Sequence, residues 1–423
     1  MIRPTPLWRS VAVLGVAGLV LTACGGDDET TTEPKDTGSA SAPAAKGDGT
    51  LKIGTLLPQT GSLAFLGPPE FAGVDLALKD INDAGGVLGK QVEKVDSDSG
   101  DTSTDTASQS VDRLISNDVD AIVGAASSSV SLSVIDKIVG NGTLQISPAN
   151  TSDELTDYDD KGLYFRTAPP DVLQGRVLGD LILADGNATV GILALQDSYG
   201  TGLADNAQKS IEGGGGQVVE KVIYDPKAAS FSTEVGKIKA ADPEAIAVIS
   251  FDEAKKIIPE MVKQGIGPDT KKIYFVDGNL ADYSKDFDKG TLEGVKGTLP
   301  GVVAGEELKT RLTELKPDLS EFAYAPESYD ATILVALAAE AAGDDSGESI
   351  ASKMQDVSAG GEKCSSFKDC VALLKDDKDI DYDGVSGPVE FNDKGDPSEA
   401  SVGIYQYGPE NTYSFLEAKE GKI

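Results

Sequence analysis

Asp120-Ala121-Ile122-Val123-Gly124-Ala125-Ala126-Ser127-Ser128-Ser129 is the stretch on which the fold turns. It reads as a short apolar strand that runs straight into three hydroxyl residues. The residues after it open a helix, with Val134, Ile135 and Ile138 at helical spacing. A helix carrying Val111, Leu114 and Ile115 precedes it, and a second strand, Thr143 to Ile146, follows. Strand, helix, strand in one direction is the unit of a parallel sheet covered by helices on both faces.

The same alternation extends both ways. Upstream, Leu51 to Leu57 reads as a strand. Phe71, Val74, Leu78 and Ile81 lie on a helix that Gly85-Gly86 ends. Downstream, Leu163 to Thr167 runs into Ala168-Pro169-Pro170, which suggests a passage to another lobe. The pattern then restarts, with strands at Val190 to Leu195, Val218 to Tyr224, Ala245 to Phe251 and Lys272 to Val276. From about Gly297 the chain is expected to turn helical, with a buried helix over Tyr329 to Ala342. Two short strands, Pro388 to Phe391 and Val402 to Tyr407, are expected to close it. Two successive series of this kind predict two doubly wound α/β lobes with a cleft between them. The expected division is 51–168 plus 298–385 for the first lobe and 169–297 plus 386–423 for the second, joined by three crossover strands.

Ahead of this body lies a processing signal. Arg3 and Arg9 form a basic start, and Val11 to Ala23 is an apolar run of about 13 residues, too short for a membrane span. It ends Leu21-Thr22-Ala23-Cys24, a lipobox, so residues 1–23 are read as a lipoprotein signal peptide and Cys24 as the lipidated residue. Gly25 to Gly49 has no large apolar side chain and is expected to be a disordered tether. No later stretch reaches 18 consecutive apolar residues, so the lipid is the only expected anchor, on the outer side of the cell membrane.

Composition excludes several classes. The 70 Asp and Glu against 37 Lys and Arg argue against nucleic acid and against a polybasic membrane patch. The chain has no histidine, which removes the commonest general base and the commonest transition-metal ligand. A hydrolase built on a carboxylate pair needs no histidine, but no Asp/Glu pair stands out in the cleft loops, so no catalytic residue, metal site or cofactor is expected. Cys364 and Cys370 are the remaining thiols, and an even pair in an exported chain reads as a disulfide, here expected between two helical segments. The acidic loops starting at Asp96 and Asn392 lack the Glu that closes a calcium loop and read as turns.

In open α/β sheets ligands sit beyond the carboxyl ends of the strands. Four places qualify: Thr60 to Gly67, Ser127 to Ser129, Ser147 to Thr151, and Asp277-Gly278. Hydroxyls and free N–H groups at a helix start can hold a carboxylate, although the same serines serve equally as plain N-caps. A carboxylate on the opposing lobe would suit an ammonium group.

Taken in order, several segments resemble the branched-chain amino-acid-binding lipoproteins of ABC importers. They are Lys52-Ile53-Gly54 through Thr60-Gly61, Phe71-Ala72-Gly73 through Val87, Gly124 to Ser129, Ile146 to Ala149, Asp197 to Gly202, and Gly387-Pro388-Val389 with Phe391. The resemblance covers essentially residues 51–410. It implies a type I periplasmic-binding fold that closes like a flytrap on a small ligand. It implies a ligand α-carboxylate on Ser127 or Ser128 and an ammonium near Ala149 and Thr151. Tyr199, Phe251 and Asp277 would meet the ligand from the second lobe, and Phe65 and Leu66 from the first loop. Leu66 replaces the aromatic usual there, Phe251 lacks a hydroxyl, and Asp277 is shorter than the family's Glu. The expected function is binding of a branched-chain or other aliphatic amino acid by a monomer that delivers it to a permease and ATPase. A sensing lipoprotein for a membrane signalling partner, or a binder of another small carboxylate or amide, is the alternative.

Overall fold

The computed structural model describes residues 47–423, so the signal peptide, Cys24 and most of the tether lie outside the described residues. Residues 47–49, read with the tether, are instead held against the body. The Gly49 N–H donates to Asp345 Oδ1 at 3.0 Å.

The first lobe is built on five parallel strands: β1 (Lys52–Leu57), β2 (Glu93–Asp98), β3 (Ala121–Gly124), β4 (Leu144–Ser147) and β5 (Tyr164–Arg166), in the order β2-β1-β3-β4-β5. Helices α1 (Gly67–Asp83), α2 (Thr106–Ser116) and α3 (Ser128–Gly140) connect them. Pro68 and Pro69 preset the first turn of α1, where a missing N–H costs nothing.

Beyond β5 the chain passes through Thr167–Pro170 into the second lobe. There α4 (Asp171–Ala184), β6 (Thr189–Leu195), α5 (Ser198–Gly213), β7 (Gln217–Tyr224), α6 (Ser232–Ala241), β8 (Ala245–Ile249), α7 (Ala254–Gln264), β9 (Lys272–Val276) and β10 (Lys296–Pro300) follow in turn. A second passage after Pro300 returns it to the first lobe with α8 (Glu306–Leu315), which packs on α1, and α9 (Ala325–Ala342). Every residue of α9 from Ala325 to Ala339 is buried, so its small, alanine-rich surface lets neighbours approach on all sides. Short elements α10 (Gly347–Ala351), α11 (Met354–Ser358), β11 (Glu362–Cys364), α12 (Phe367–Lys375), β12 (Ile380–Gly384) and β13 (Gly387–Pro388) complete this lobe. The third passage leads to β14 (Glu399–Tyr407) and β15 (Tyr413–Lys422). The second sheet runs β15-β14-β10-β9-β8-β6-β7, with the β10–β14 and β14–β15 pairs antiparallel.

The predicted two-lobed α/β class is therefore the observed one, with local differences. The stretch near Gly297, expected to begin a helix, is β10, a strand inside the second sheet whose terminal Pro300 masks it. The expected strand Pro388–Phe391 shrinks to Gly387–Pro388, and Phe391 makes a lone bridge to Pro397. β2 and β15 went unforeseen. Both are edge strands rich in charge, and an edge strand needs no continuous apolar face. The Cys364–Cys370 disulfide is present, with Cα atoms 5.3 Å apart. It joins the end of β11 to α12, not two helical segments.

A fully buried ion pair ties the passages together. Arg166 Nε donates to Asp396 Oδ1 at 2.6 Å and Nη2 to Oδ2 at 3.0 Å. Nη1 also donates to the Ser152 carbonyl at 2.8 Å, so the arginine braces the loop after β4 from behind.

Candidate functional site

The strand ends of both lobes face each other across the cleft. On the first-lobe side Gly124 must be glycine, because a Cβ there would sit 2.1 Å from the Leu56 carbonyl oxygen. The three serines that follow do three different things. Ser127 caps α3, its hydroxyl accepting from the Val130 N–H at 3.4 Å. Ser128 Oγ accepts from the N–H groups of Thr151 and Ser152, both at 3.2 Å, which leaves its own O–H free to donate. Ser129 reaches the other lobe, with its Oγ 3.1 Å from Asp197 Oδ2 and 2.8 Å from Ser198 Oγ. That contact latches the facing starts of α3 and α5.

From the second lobe come Tyr199 in the first turn of α5, Phe251 after β8 and Asp277 after β9. The Tyr199 and Phe251 rings stack with centroids 5.4 Å apart. Asn279 locks the turn that presents Asp277: its Oδ1 accepts from the Val276 N–H, and its Nδ2 donates to the Val248 carbonyl and to Ser250 Oγ. Gly278 lets this turn lie against Phe251, since a Cβ would come within 2.8 Å of the ring.

Asp277 is the electrostatic centre. Its Oδ1 accepts from Tyr199 Oη and from Gln174 Nε2, each at 2.7 Å, and its Oδ2 accepts from Tyr324 Oη at 2.8 Å. Burial pushes the carboxyl above its usual range, and the three donors oppose that shift. A carboxylate has about four lone-pair sites, so one on Oδ2 remains for a further donor. Close by, Asp171 is wholly buried, and burial with the Asp153 and Asp277 charges holds its carboxyl well above the ordinary value.

Leu66, Ser127, Ser128, Ala149, Thr151, Tyr199, Phe251 and Asp277 all line one small pocket. Phe65 does not; it is half-buried and packs against the second-lobe core. The Ala149 N–H donates to Ser147 Oγ at 3.2 Å, so that donor is already taken within the first lobe. Leu63 and Gly278, inside two of the expected stretches, also line the pocket, as do Ala126 and Tyr324, which lie outside them. Tyr324 stands at the head of α9, some distance along the chain from every motif. The only signal for it is the Tyr-Ala-Pro that marks a helix start. A wider cavity of about 240 Å³ continues toward the cleft mouth and shares Leu63, Ser127 and Phe251 with the pocket.

Two lobes of parallel sheet, three passages between them and a polar pocket where their strand ends meet define a closing two-lobed binding protein. The chain belongs to the periplasmic binding protein family, whose model matches residues 50–394. It is 26% identical to the Leu/Ile/Val-binding protein homolog 1 of Brucella suis biovar 1 over 380 residues, 86% of this chain and 93% of the relative. It is 26% identical over 357 residues to the chemotactic signal transduction system substrate-binding protein BasB of Halobacterium salinarum, 81% of this chain and 83% of the relative. A crystal structure of a leucine-binding protein from Thermotoga maritima superposes with a TM-score of 0.72, covering 87% of this chain and 98% of that one at 22% identity. Membership implies an extracytoplasmic solute-binding protein. Among the described residues no helix is long and apolar enough to cross a membrane.

Proposed function

We propose that this chain is the solute-binding component of an ABC importer. It closes on an aliphatic amino acid, of branched-chain type, and delivers it to a permease and its ATPase without chemical change. The observation that carries this reading is the polarity of the pocket. A donor, the Ser128 hydroxyl, lies on one lobe. A carboxylate with an unused acceptor site, Asp277, lies on the other. A zwitterionic backbone presents the complementary pair of ends. Leu63, Leu66 and Ala126 supply an apolar wall for the side chain. Contacts from both lobes would favour the closed state over the open one, since only differential contacts shift such an equilibrium. The Leu/Ile/Val-binding relative supports the same ligand class.

Cys24 would carry the lipid that holds the monomer at the membrane. Replacing it with serine should release the protein from the membrane fraction, and full retention would refute the anchor. The ligand assignment is tested by calorimetry of the purified protein against leucine, isoleucine, valine and their deaminated analogues. The amino acids should bind and the analogues should not; preference for the analogues would overturn the ligand class. A sensing role is the second reading, favoured by the likeness to a chemotactic binding protein. Co-purification of a membrane signalling partner in place of a permease would establish it.

A further inference from the structure

A second cavity, of about 390 Å³, lies at the hinge. Its walls come from three places. The passage after β10 contributes Val302 and Val303, the segment leading into α9 contributes Glu321, Phe322 and Tyr324, and the β14–β15 hairpin contributes Tyr405 and Tyr413. Glu327, in the first turn of α9, also lines it. That side chain is 1% exposed, and its Oε1 has no hydrogen-bond partner. A buried acceptor without a partner costs free energy unless something supplies a donor. Glu321 adds a second carboxyl, oriented by the Tyr413 hydroxyl at 2.6 Å.

The aromatic walls suit a cation. Tyr405 and Tyr413 meet edge to face with centroids 5.5 Å apart. The Lys309 ammonium already sits 5.9 Å from the Phe322 ring centre, while bonded to Glu306 at 2.9 Å. Aromatic faces attract an ammonium, the more so when it is partly desolvated. Carboxyls outnumber cations here: Asp282, Glu321 and Glu327 line the cavity with Lys309 as the one opposing charge among its lining residues.

We propose that this hinge cavity is a second ligand site, taking an organic ammonium with an apolar body. The charge lies against Glu327 and the body among Phe322, Tyr405 and Tyr413. Tyr324 walls both this cavity and the cleft pocket, and it bonds Asp277 across the lobes. An occupant here therefore touches an element that also shapes the cleft.

The chain's single tryptophan is Trp8, within the expected leader, so the processed protein offers a silent background. Phe415, 44% exposed at the cavity rim, can be replaced by tryptophan as a reporter. Phenethylamine should change the emission of Phe415→Trp saturably, and 2-phenylethanol, its neutral counterpart, should not. At about pH 9, where Glu327 has lost its proton and the amine still carries its own, adding Glu327→Gln should weaken the amine at least tenfold, and Asp277→Asn should leave it within twofold. Val303→Arg, a fixed cation placed in the cavity, should abolish the signal, and it keeps the idea testable if Glu327→Gln fails to fold. No saturable change with the amine overturns the proposal, as does equal binding of the alcohol. Loss of the signal with Asp277→Asn while Glu327→Gln retains it would place the amine in the cleft instead, and would overturn the proposal equally.

Discussion

The Tyr324 hydroxyl donates to Asp277 Oδ2 at 2.8 Å, and this bond joins the two lobes at the floor of the cleft pocket. Tyr324 immediately precedes the first-lobe helix α9, and Asp277 immediately follows the second-lobe strand β9. The bond is therefore a direct contact between the lobes. The Ser129 contact to Asp197 and Ser198 is a second such link.

Tyr324→Phe keeps the ring and removes this bond. A hydrogen bond to a charged group is worth about 1.5–3 kcal/mol, so leucine binding should weaken by roughly ten- to a hundredfold. The free protein should also spend more time open, read as a larger radius of gyration in solution scattering. Unchanged affinity and unchanged scattering would show that the bond does not govern closure.

Asp277→Asn removes the charge with little change in shape. An ammonium brought into the pocket would then lack its counter-charge, at a cost of roughly 3 kcal/mol or more. Leucine affinity should fall on the order of a hundredfold, with melting temperature little altered. Calorimetry and a thermal melt decide it, and wild-type affinity in the mutant would remove Asp277 from the site.

Arg166→Met leaves Asp396 buried and uncompensated, a change that typically costs about 3–5 kcal/mol. The urea midpoint should drop sharply. The double variant Arg166→Met with Asp396→Leu should recover much of the loss, because apolar replacements of a buried pair are often close to neutral. A double variant as unstable as the single one would mean that the contact to the Ser152 carbonyl, not the ion pair, is what matters.

Glu70 and Glu327 face each other from α1 and α9, both buried and with unpartnered carboxyl oxygens. Burial raises the Glu327 carboxyl to about 8, with the Asp330 charge adding to the rise and the backbone N–H groups of Glu327 and Val302 opposing it. Burial and the neighbouring Glu327 lift Glu70 well above its ordinary value. Both groups hold their protons in the folded state where the unfolded chain has lost them. Their contribution to stability is therefore complete below the ordinary carboxyl value of 4.5 and is lost as pH rises through about 8. The urea midpoint should fall over that window. Glu327→Gln, which mimics the neutral acid, should flatten the fall. A midpoint that rises with pH over the window, or an unaltered slope in the variant, would contradict this.

The alternation of apolar runs and helical spacings determined by itself that the chain makes two α/β lobes, because a parallel strand buried on both faces must be apolar along its length. The same local logic marked Ser127 to Ser129, Ala149, Thr151 and Asp277, since strand ends and helix starts are where free donors collect. Edge strands β2 and β15 escaped it, having no buried face to advertise themselves, and β10 escaped behind its proline. What each serine does was also undecided in the sequence. Identical neighbours became a helix cap, a pocket-lining hydroxyl and an interlobe latch only because helix geometry turns successive side chains by about 100°. Tyr324 and Glu327 could not be assigned at all, for their partners are set by how α9 packs between the lobes. Long-range packing alone brings Tyr324 to Asp277, and it leaves Glu327 Oε1 buried at the hinge without a hydrogen-bond partner.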